Sequence, residues 1–215
     1  MEQIVADSGW RGSREVWLQA AFEVLLDTGV DAVRILPIAN KLGLSRTSFY
    51  WFFKDRDELL GALLTKWKET NTANLLARID SYAENIAEAM LNVSDCWLNA
   101  DLFDSQFEFA VRSWGLQSPM ALAAVQEADR IRIDAFKAMF RRFGYDEAAA
   151  DVRARTTYLV QIGYISMQTK EALETRMRRL PYYIEIFTDL APSESDMKRF
   201  AHRHGYRGKI IGVKR

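Results

Sequence analysis

Residues 34–60 read RILPIANKLGLSRTSFYWFFKDRDELL and decide the fold. Pro37 falls in the first turn of a short helix predicted over Ile35–Leu42, where its missing N–H costs little. Gly43 ends that helix because it tolerates the positive φ of a tight turn, and Ser45 can cap the next helix. Two short helices joined in this way form a helix-turn-helix, in which the second helix enters the major groove of DNA and the first crosses the backbone.

The apolar residues of this segment are spaced to pack between the two helices. Ala39 is small enough to permit a close helix crossing, and Phe49 and Phe53 are predicted to be core. Arg46 and Thr47 then lie on the outer side of the second helix. The sequence therefore predicts a positively charged ridge that protrudes and fits a duplex groove.

Charge is distributed unevenly, although the formal net charge of the chain is zero. Residues 34–56 hold five basic residues against one acidic residue, and residues 196–215 hold seven against one. The stretch 57–195 between them is acidic, with 15 basic and 21 acidic residues. Such asymmetry is expected when only one part of a protein meets phosphates, although each patch alone is more often a solvated surface.

The composition is that of a soluble globular protein, since 49% of the 215 residues are hydrophobic and 27% are charged. No apolar run approaches the ~18 to 20 residues that a membrane span needs. The N-terminal residues Met1–Asp7 lack the basic region and apolar stretch of a secretory signal. We therefore predict a cytoplasmic chain with no membrane partner.

The few His and Cys residues argue against catalysis and metal binding. Cys96 is the only cysteine, which excludes an internal disulfide and a thiolate cluster. His202 and His204 are the only histidines, and they lie in a basic tail that we predict to be solvated. The sequence predicts no metal site, no cofactor and no enzymatic activity.

Apolar residues recur at three- and four-residue steps along most of the chain, which predicts an all-α fold. A first helix is predicted over Ser13–Thr28 and a long fourth helix from Asp55. The later predicted helices are Ala83–Trp97, Phe103–Gly115, Pro119–Phe143, Glu147–Lys170, Met177–Leu190 and a short one at Ser195–His202.

The segment from Ser13 to about Trp67 resembles the DNA-binding end of the TetR family of bacterial transcriptional regulators. Its Ile-Ala, Leu-Gly-Leu-Ser, Phe-Tyr and Phe-Lys-Asp-Arg-Asp-Glu-Leu-Leu elements stand in the family's order and spacing. The resemblance implies an all-helical homodimer whose first three helices bind operator DNA and whose larger remainder binds an effector. The domains expected are a DNA-binding domain at 1–54, an effector-binding and dimerisation domain at 55–192, and a basic tail at 193–215.

The resemblance also assigns roles to single residues. The recognition helix is Ser45–Phe52, with Arg46 and Thr47 placed to meet base edges or phosphates. Tyr50 stands where the family's Tyr commonly reaches a phosphate, and its alternative is packing against the first helix. The predicted DNA contacts are Arg34, Ser45, Arg46, Thr47, Tyr50, Trp51, Lys54 and Arg56.

Three residues depart from the family pattern and leave the base readout open. Arg34 replaces a capping Thr or Ser, Pro37 stands where an acidic residue is common, and Phe52 occupies a site often held by His.

The C-terminal half is predicted to hold a pocket for a bulky, partly hydrophobic ligand and the dimer interface. The pocket candidates are Trp97, Phe103, Phe107, Arg112, Trp114, Tyr158, Tyr164 and Met167, each with ordinary core as its alternative. The interface candidates are Tyr158, Ile162, Ile165, Ile184 and Phe187, each with the monomer's own core as its alternative. Arg112, Asp129 and Arg130 are expected to form structural ion pairs, with polar anchoring of a ligand as the alternative.

The function expected is that of a ligand-responsive regulator, most simply a repressor, which binds a palindromic operator as a homodimer and is released by a small effector. Two alternatives stay open. One is a protein-interaction module, given nine basic and nine acidic residues within 1–68. The other is a constitutive DNA binder without an effector.

Overall fold

The computed structural model describes residues 12–209, and every regular element in that range is a helix. The α-helices are α1 Arg14–Thr28, α2 Ile35–Leu42, α3 Arg46–Phe49, α4 Arg56–Trp67, α5 Asn74–Asp80, α6 Ile86–Leu98, α7 Ser105–Gly115, α8 Pro119–Arg142, α9 Glu147–Ser166, α10 Leu173–Thr188 and α11 Glu194–Arg203. A 3₁₀ turn spans Val30–Ala32, and a π-helical segment spans Lys68–Ala73. The all-α prediction is confirmed, and no helix within 12–209 is long and apolar enough to cross a membrane.

Some sequence predictions concern residues outside this range. The absence of a secretory signal was inferred from Met1–Asp7, and the basic tail includes Lys214 and Arg215. Both stretches lie outside the described residues.

The first of two hydrophobic cores joins α1–α4 to α7 and the start of α8. Trp17, Phe49 and Trp67 are fully buried in it. Val111 of α7 and Ala121 of α8 pack into the same core. The apolar packing of the N-terminal helices therefore continues past the domain boundary that we placed at residue 54.

The second core is formed by α5, α6, the later part of α8, and α9–α11. Phe136, Phe140 and Tyr158 are among its fully buried side chains. Cys96 also lies in this core, and burial raises the pKa of its thiol to about 12.

The last described helix packs against the second core, so the expectation of a solvated tail does not hold there. Phe200 of α11 is buried. The Nε2 atom of His204 lies 2.8 Å from Oδ1 of the buried Asp95, and Nη2 of Arg203 lies 3.0 Å from the same oxygen. Because the His204 side chain is only 12% exposed, this histidine belongs to the packed body of the protein.

Several helices differ in extent from their predictions. The recognition helix was predicted over Ser45–Phe52, but α3 ends at Phe49. The α9 helix ends at Ser166 rather than Lys170, because Gln168 adopts a positive φ of 49°. The α10 helix begins at Leu173, four residues before the predicted start. The predicted long fourth helix is α4, which the π-helical segment connects to α5.

A buried polar cluster centred on Glu108 of α7 links the two cores. One carboxylate oxygen of Glu108, Oε2, accepts hydrogen bonds from Nε1 of Trp67 at 2.7 Å and from Nδ2 of Asn71 at 2.9 Å. The other, Oε1, accepts from Nη1 of Arg132 at 2.8 Å and from Nε of Arg112 at 2.9 Å. Glu108 and Arg132 are both fully buried, so this is a desolvated ion pair.

The same cluster reaches α8 and α9. Arg112 forms an ion pair with Asp129, and the hydroxyl of Tyr158 donates to Oδ1 of Asp129 at 2.5 Å. Nη1 of Arg132 donates to the Tyr158 hydroxyl at 3.0 Å. These residues bind one another, which agrees with the structural role expected for Arg112 and Asp129. Arg130 lies apart, in exposed ion pairs on α8.

The charges around Glu108 decide its protonation. Burial alone raises the pKa of this carboxyl, but the positive charges of Arg132 and Arg112 and the hydrogen bonds from Arg132 and Asn71 outweigh burial. The pKa of Glu108 is therefore lowered below its ordinary value.

We predict that Glu108→Gln lowers the free energy of unfolding by about 3–5 kcal/mol, because it leaves Arg132 as an uncompensated buried charge. Urea denaturation followed by circular dichroism measures this loss. The matched control is Glu127→Gln, which removes the same charge from an exposed ion pair with Arg130 and should leave stability nearly unchanged. Equal losses in the two variants would contradict the assigned role of the cluster.

The stabilisation by ionised Glu108 should also depend on pH. Because the pKa is lower in the folded than in the unfolded chain, the contribution is complete above the ordinary glutamate pKa of about 4.3 and is lost as pH falls through the folded-state value. We expect the stability difference between the wild type and Glu108→Gln to shrink below about pH 4. A difference that stays constant from pH 7 to pH 3 would rule this out.

Candidate nucleic-acid interface

The turn before α3 is fixed by local hydrogen bonds. Gly43 ends α2 in the left-handed conformation, with φ 64° and ψ 26°. The side chain of Ser45 accepts a hydrogen bond from the backbone N–H of Ser48 at 3.2 Å, as an N-cap does. The Ser48 hydroxyl donates back to the Ser45 carbonyl at 2.6 Å. The left-handed Gly43 and the Ser45 cap were both predicted from the sequence, and together they set the direction of α3.

One face of α3 is anchored in the first core. The Phe49 ring is fully buried and packs edge-on against Trp17, with ring centroids 5.3 Å apart. It also stacks on Phe53 at 5.4 Å. The core assignment of both phenylalanines is correct, and their burial turns the opposite face of α3 to the surface.

The outward face of α3 and its following turn is a ridge formed by Arg46, Thr47, Tyr50 and Trp51, called the α3 ridge below. Arg46 and Thr47 are exposed, while Tyr50 and Trp51 are 47% and 64% exposed. Nη2 of Arg46 donates to the Tyr50 hydroxyl at 3.2 Å, so the two side chains project together. The structure thus presents Tyr50 at the surface beside Arg46.

Cations flank the α3 ridge in different environments. Lys54 is exposed, and Arg34 is exposed with its Nε donating to the Asp31 carbonyl at 2.9 Å. Arg56 is half-buried, and its guanidinium donates to the carbonyls of Val33 at 2.6 Å and Val30 at 2.8 Å. Arg56 thus braces the 3₁₀ turn against α4, a role that the sequence did not predict, and its predicted phosphate contact stays a prediction.

We predict that Arg56→Met lowers the free energy of unfolding by about 2–3 kcal/mol, since two hydrogen bonds from a charged donor to half-buried carbonyls are lost. Thermal or urea unfolding measures the effect. Lys54→Met removes one positive charge from a nearby exposed site and should leave stability nearly unchanged. If both variants unfold alike, Arg56 does not brace the turn.

The predicted pocket residues do not converge on one site. Phe103 and Phe107 are core, and Arg112 and Tyr158 belong to the buried polar cluster. Met167 is 79% exposed. A stripe at helical spacing identifies an apolar face, but it does not show whether that face meets a cavity or another side chain.

Two of the predicted residues, Trp97 and Tyr164, line a mainly apolar cavity of about 90 Å³ between α6, α9 and α10. Six residues of its wall come from α10, and none of them was among the predicted pocket residues. Only Arg176 of these six lies before Met177, the predicted start of the helix, so the prediction had most of this helix but not the face that lines the cavity. The residues not anticipated include Val160, Arg176, Leu180, Tyr183 and Ile184.

A larger crevice of about 750 Å³ lies beside this cavity. Its walls are the end of α1 and the turn after it, α7, and the α9–α10 connection. Trp114, another predicted pocket residue, lines the crevice, and Gln161, Tyr164 and Arg176 line both spaces. The crevice therefore separates the N-terminal helices from the helices around the apolar cavity.

The predicted dimer residues lie within the monomer. Tyr158, Ile165, Ile184 and Phe187 are buried in the second core, and Ile162 is half-buried against it. The same two helices expose other apolar side chains on their outer surface, and these form the α9–α10 face: Val152, Leu159, Tyr182 and Ile186. The alternative of the monomer's own core therefore holds for four of the five interface candidates, and pairing through α9 and α10 stays a prediction.

Within residues 12–209, no group of three or more His, Cys, Asp or Glu side chains is arranged to hold a metal ion. The distinctive surface chemistry of the N-terminal helices is the α3 ridge with its flanking cations.

Comparison with known sequences shows which family the N-terminal helices resemble. The family described as "Bacterial regulatory proteins, tetR family" matches residues 18–63, which include α2, α3 and the turn between them. The class D tetracycline repressor protein of Escherichia coli and the class H protein of Photobacterium damsela subsp. piscicida are each 40% identical to this chain over 53 residues. These matches cover 25% of this chain and 24% of each repressor, so the chain spans about a quarter of the relatives' length.

Solved structures extend the likeness to most of the chain at the level of the fold. Salmonella enterica GusR superposes with a TM-score of 0.62 at 12% identity, covering 82% of this chain and 95% of that one. Mycobacterium smegmatis AmtR superposes with a TM-score of 0.56 at 16% identity, covering 95% and 99%. At such identities the agreement shows a shared fold.

Proposed function

We propose that this chain, whose N-terminal helices belong to the TetR family of bacterial regulatory proteins, is a transcriptional regulator that binds operator DNA. The observation that carries the proposal is the α3 ridge, which a capped turn and a buried phenylalanine hold outward within the matched segment. A helix held in this way is suited to the major groove. The name of the matched tetracycline repressors supports repression as the mode of action.

The chemistry of the α3 ridge suits a duplex. Arg46 presents a forked donor that matches the acceptor edge of guanine, and Thr47 offers a methyl group for thymine or a hydroxyl for phosphate. The Tyr50 hydroxyl, beside Arg46, suits a phosphate oxygen. Lys54 and Arg34 are exposed on either side and add attraction to the DNA backbone.

Arg46→Ala is expected to weaken binding to the DNA upstream of the chain's own gene by roughly tenfold or more, and Tyr50→Phe by a smaller factor. Fluorescence anisotropy over a salt series measures both effects. A salt slope smaller by about 0.9 assigns Arg46 to a phosphate, whereas an unchanged slope with relaxed sequence preference assigns it to a base edge. Arg141→Ala removes an equal charge from α8, outside the helix-turn-helix, and should bind like the wild type.

The rival function, a protein-interaction module, predicts a different result. Such a protein would bind DNA weakly and without sequence preference, and Arg46→Ala and Arg141→Ala would then behave alike. That pattern would overturn the proposed function.

The proposed active form is a homodimer built through the α9–α10 face. Two recognition helices about 34–36 Å apart, or a multiple of that distance, would read a roughly palindromic operator on one side of the duplex. The exposed side chains of Val152 and Leu159 lie two turns apart on α9, and those of Tyr182 and Ile186 lie one turn apart on α10. Val152 and Ile186 line the same shallow surface pocket, which brings the two helices' exposed stripes together there. An apolar face of this kind, formed by two adjacent helices, is suited to pair with a second copy of itself.

We expect Leu159→Glu to convert the dimer to a monomer, because a charge would be buried at the centre of the α9–α10 face. Size-exclusion chromatography with light scattering measures the mass. Leu116→Glu places the same charge at an exposed leucine that follows α7 and should leave the dimer intact. A dimer that survives Leu159→Glu would require a different interface.

Effector release is proposed as a shift between two conformations. A ligand that prefers the conformation with wrongly spaced recognition helices must weaken DNA binding by the same factor by which DNA weakens ligand binding. A coupling of ~1–3 kcal/mol corresponds to about 5- to 150-fold in operator affinity. The crevice supports this proposal, because its walls come both from the end of α1 and from the α9–α10 connection.

A further inference from the structure

The cavity between α6, α9 and α10 has a mainly apolar wall and a charged mouth. Trp97, Leu98, Val160, Leu180 and Ile184 supply much of the wall. A volume of about 90 Å³ is roughly six to nine times the ~10–15 Å³ that one water-sized probe occupies. The space therefore suits a short apolar chain or a single ring.

Arg176 lies where the cavity meets the crevice, and it lines both. Its Nη1 donates to the Trp97 carbonyl, which holds the guanidinium in place. Within residues 12–209 no carboxylate lies within ion-pair distance of Arg176, and its Nε and Nη2 atoms have no hydrogen-bond acceptor. A half-buried cation with two unused donors is a suitable partner for an anion.

The neighbouring charges do not satisfy Arg176. Glu171, the acidic residue of the cavity lining, is already paired with Arg179. Asp27 and Asp31 line the opposite wall of the crevice and are exposed to solvent. One unpaired positive charge therefore remains at the mouth of the apolar cavity, and a monoanionic head group would balance it.

A second observation points to an occupant. Oγ1 of Thr157 is buried and has no hydrogen-bond partner, and Thr157 lines the same cavity. Buried hydroxyls are nearly always hydrogen-bonded, so an unsatisfied one in a cavity wall suits a ligand that brings a polar atom to it.

We propose that this cavity binds a mainly apolar monocarboxylate, with the carboxylate on Arg176, the apolar body between α6, α9 and α10, and one polar atom of that body at the Thr157 hydroxyl. The inference deepens the proposed effector response and rests on that function only for its regulatory meaning. A planar carboxylate can accept both free donors of the guanidinium fork, while the apolar body gains from leaving water.

The test is isothermal titration calorimetry of the full chain with octanoate, and with octan-1-ol as an uncharged probe of the same chain length. Octanoate should bind more tightly than octan-1-ol. Arg176→Met should weaken octanoate binding by about 10- to 100-fold and leave octan-1-ol binding unchanged. Arg178→Met removes an equal charge from the exposed side of α10 and should bind octanoate like the wild type.

A third variant locates the apolar body. Val160→Phe fills the cavity and should abolish binding of both probes while the circular dichroism spectrum stays that of the wild type. No octanoate binding by the wild type, equal effects of the two arginine variants, or unchanged binding by Val160→Phe would each overturn the assignment.

The operator assay separates this inference from the proposed function. A protein that binds its operator but not octanoate refutes the ligand assignment alone. A protein that binds octanoate in an Arg176-dependent way but not DNA supports the ligand assignment and refutes the regulator.

Discussion

The rest of the structure depends on the buried carboxylate of Glu108. Its two oxygens accept hydrogen bonds from Trp67 and Asn71 on one side and from Arg112 and Arg132 on the other. Trp67 is the last residue of α4, which begins beside the helix-turn-helix, and Arg132 lies in the middle of α8. A charge that is buried away from water must be paired within the protein. The ion pair between Glu108 and Arg132 therefore fixes how the C-terminal end of α4 packs against α7 and α8.

This arrangement makes the N-terminal helices part of a larger body. Because α7 and α8 complete the first core, the position of the helix-turn-helix is set by helices that also reach the second core. The 3₁₀ turn adds a second connection, since Arg56 of α4 holds the carbonyls of Val30 and Val33. A displacement at the crevice wall would thus be carried to α2 and α3 by covalent and hydrogen-bonded neighbours rather than absorbed by a loose linker.

Local chemistry explains which predictions succeeded. The left-handed Gly43, the Ser45 cap and the buried Phe49 depend on neighbours within a few residues, so the sequence predicted them and with them the α3 ridge. The direction of a helix face depends on residues far along the chain. For this reason the interface candidates Tyr158 and Ile184 could not be told from core residues, and the hydrogen bonds from Arg56 to distant carbonyls were not predicted. The start of α10 could not be placed because Ala172, which precedes it, gives no side-chain capping signal.

The burial of Cys96 has a practical consequence for spectroscopy. Its thiol is enclosed in the second core and stays protonated at neutral pH. Maleimide and spin-label reagents need an accessible thiolate, so they should not react with Cys96. A single cysteine introduced at an exposed site near α3 could then carry the only label in the chain, with no need to replace Cys96. In a symmetric pair of chains, the distance between two such labels would measure the separation of the two α3 helices directly.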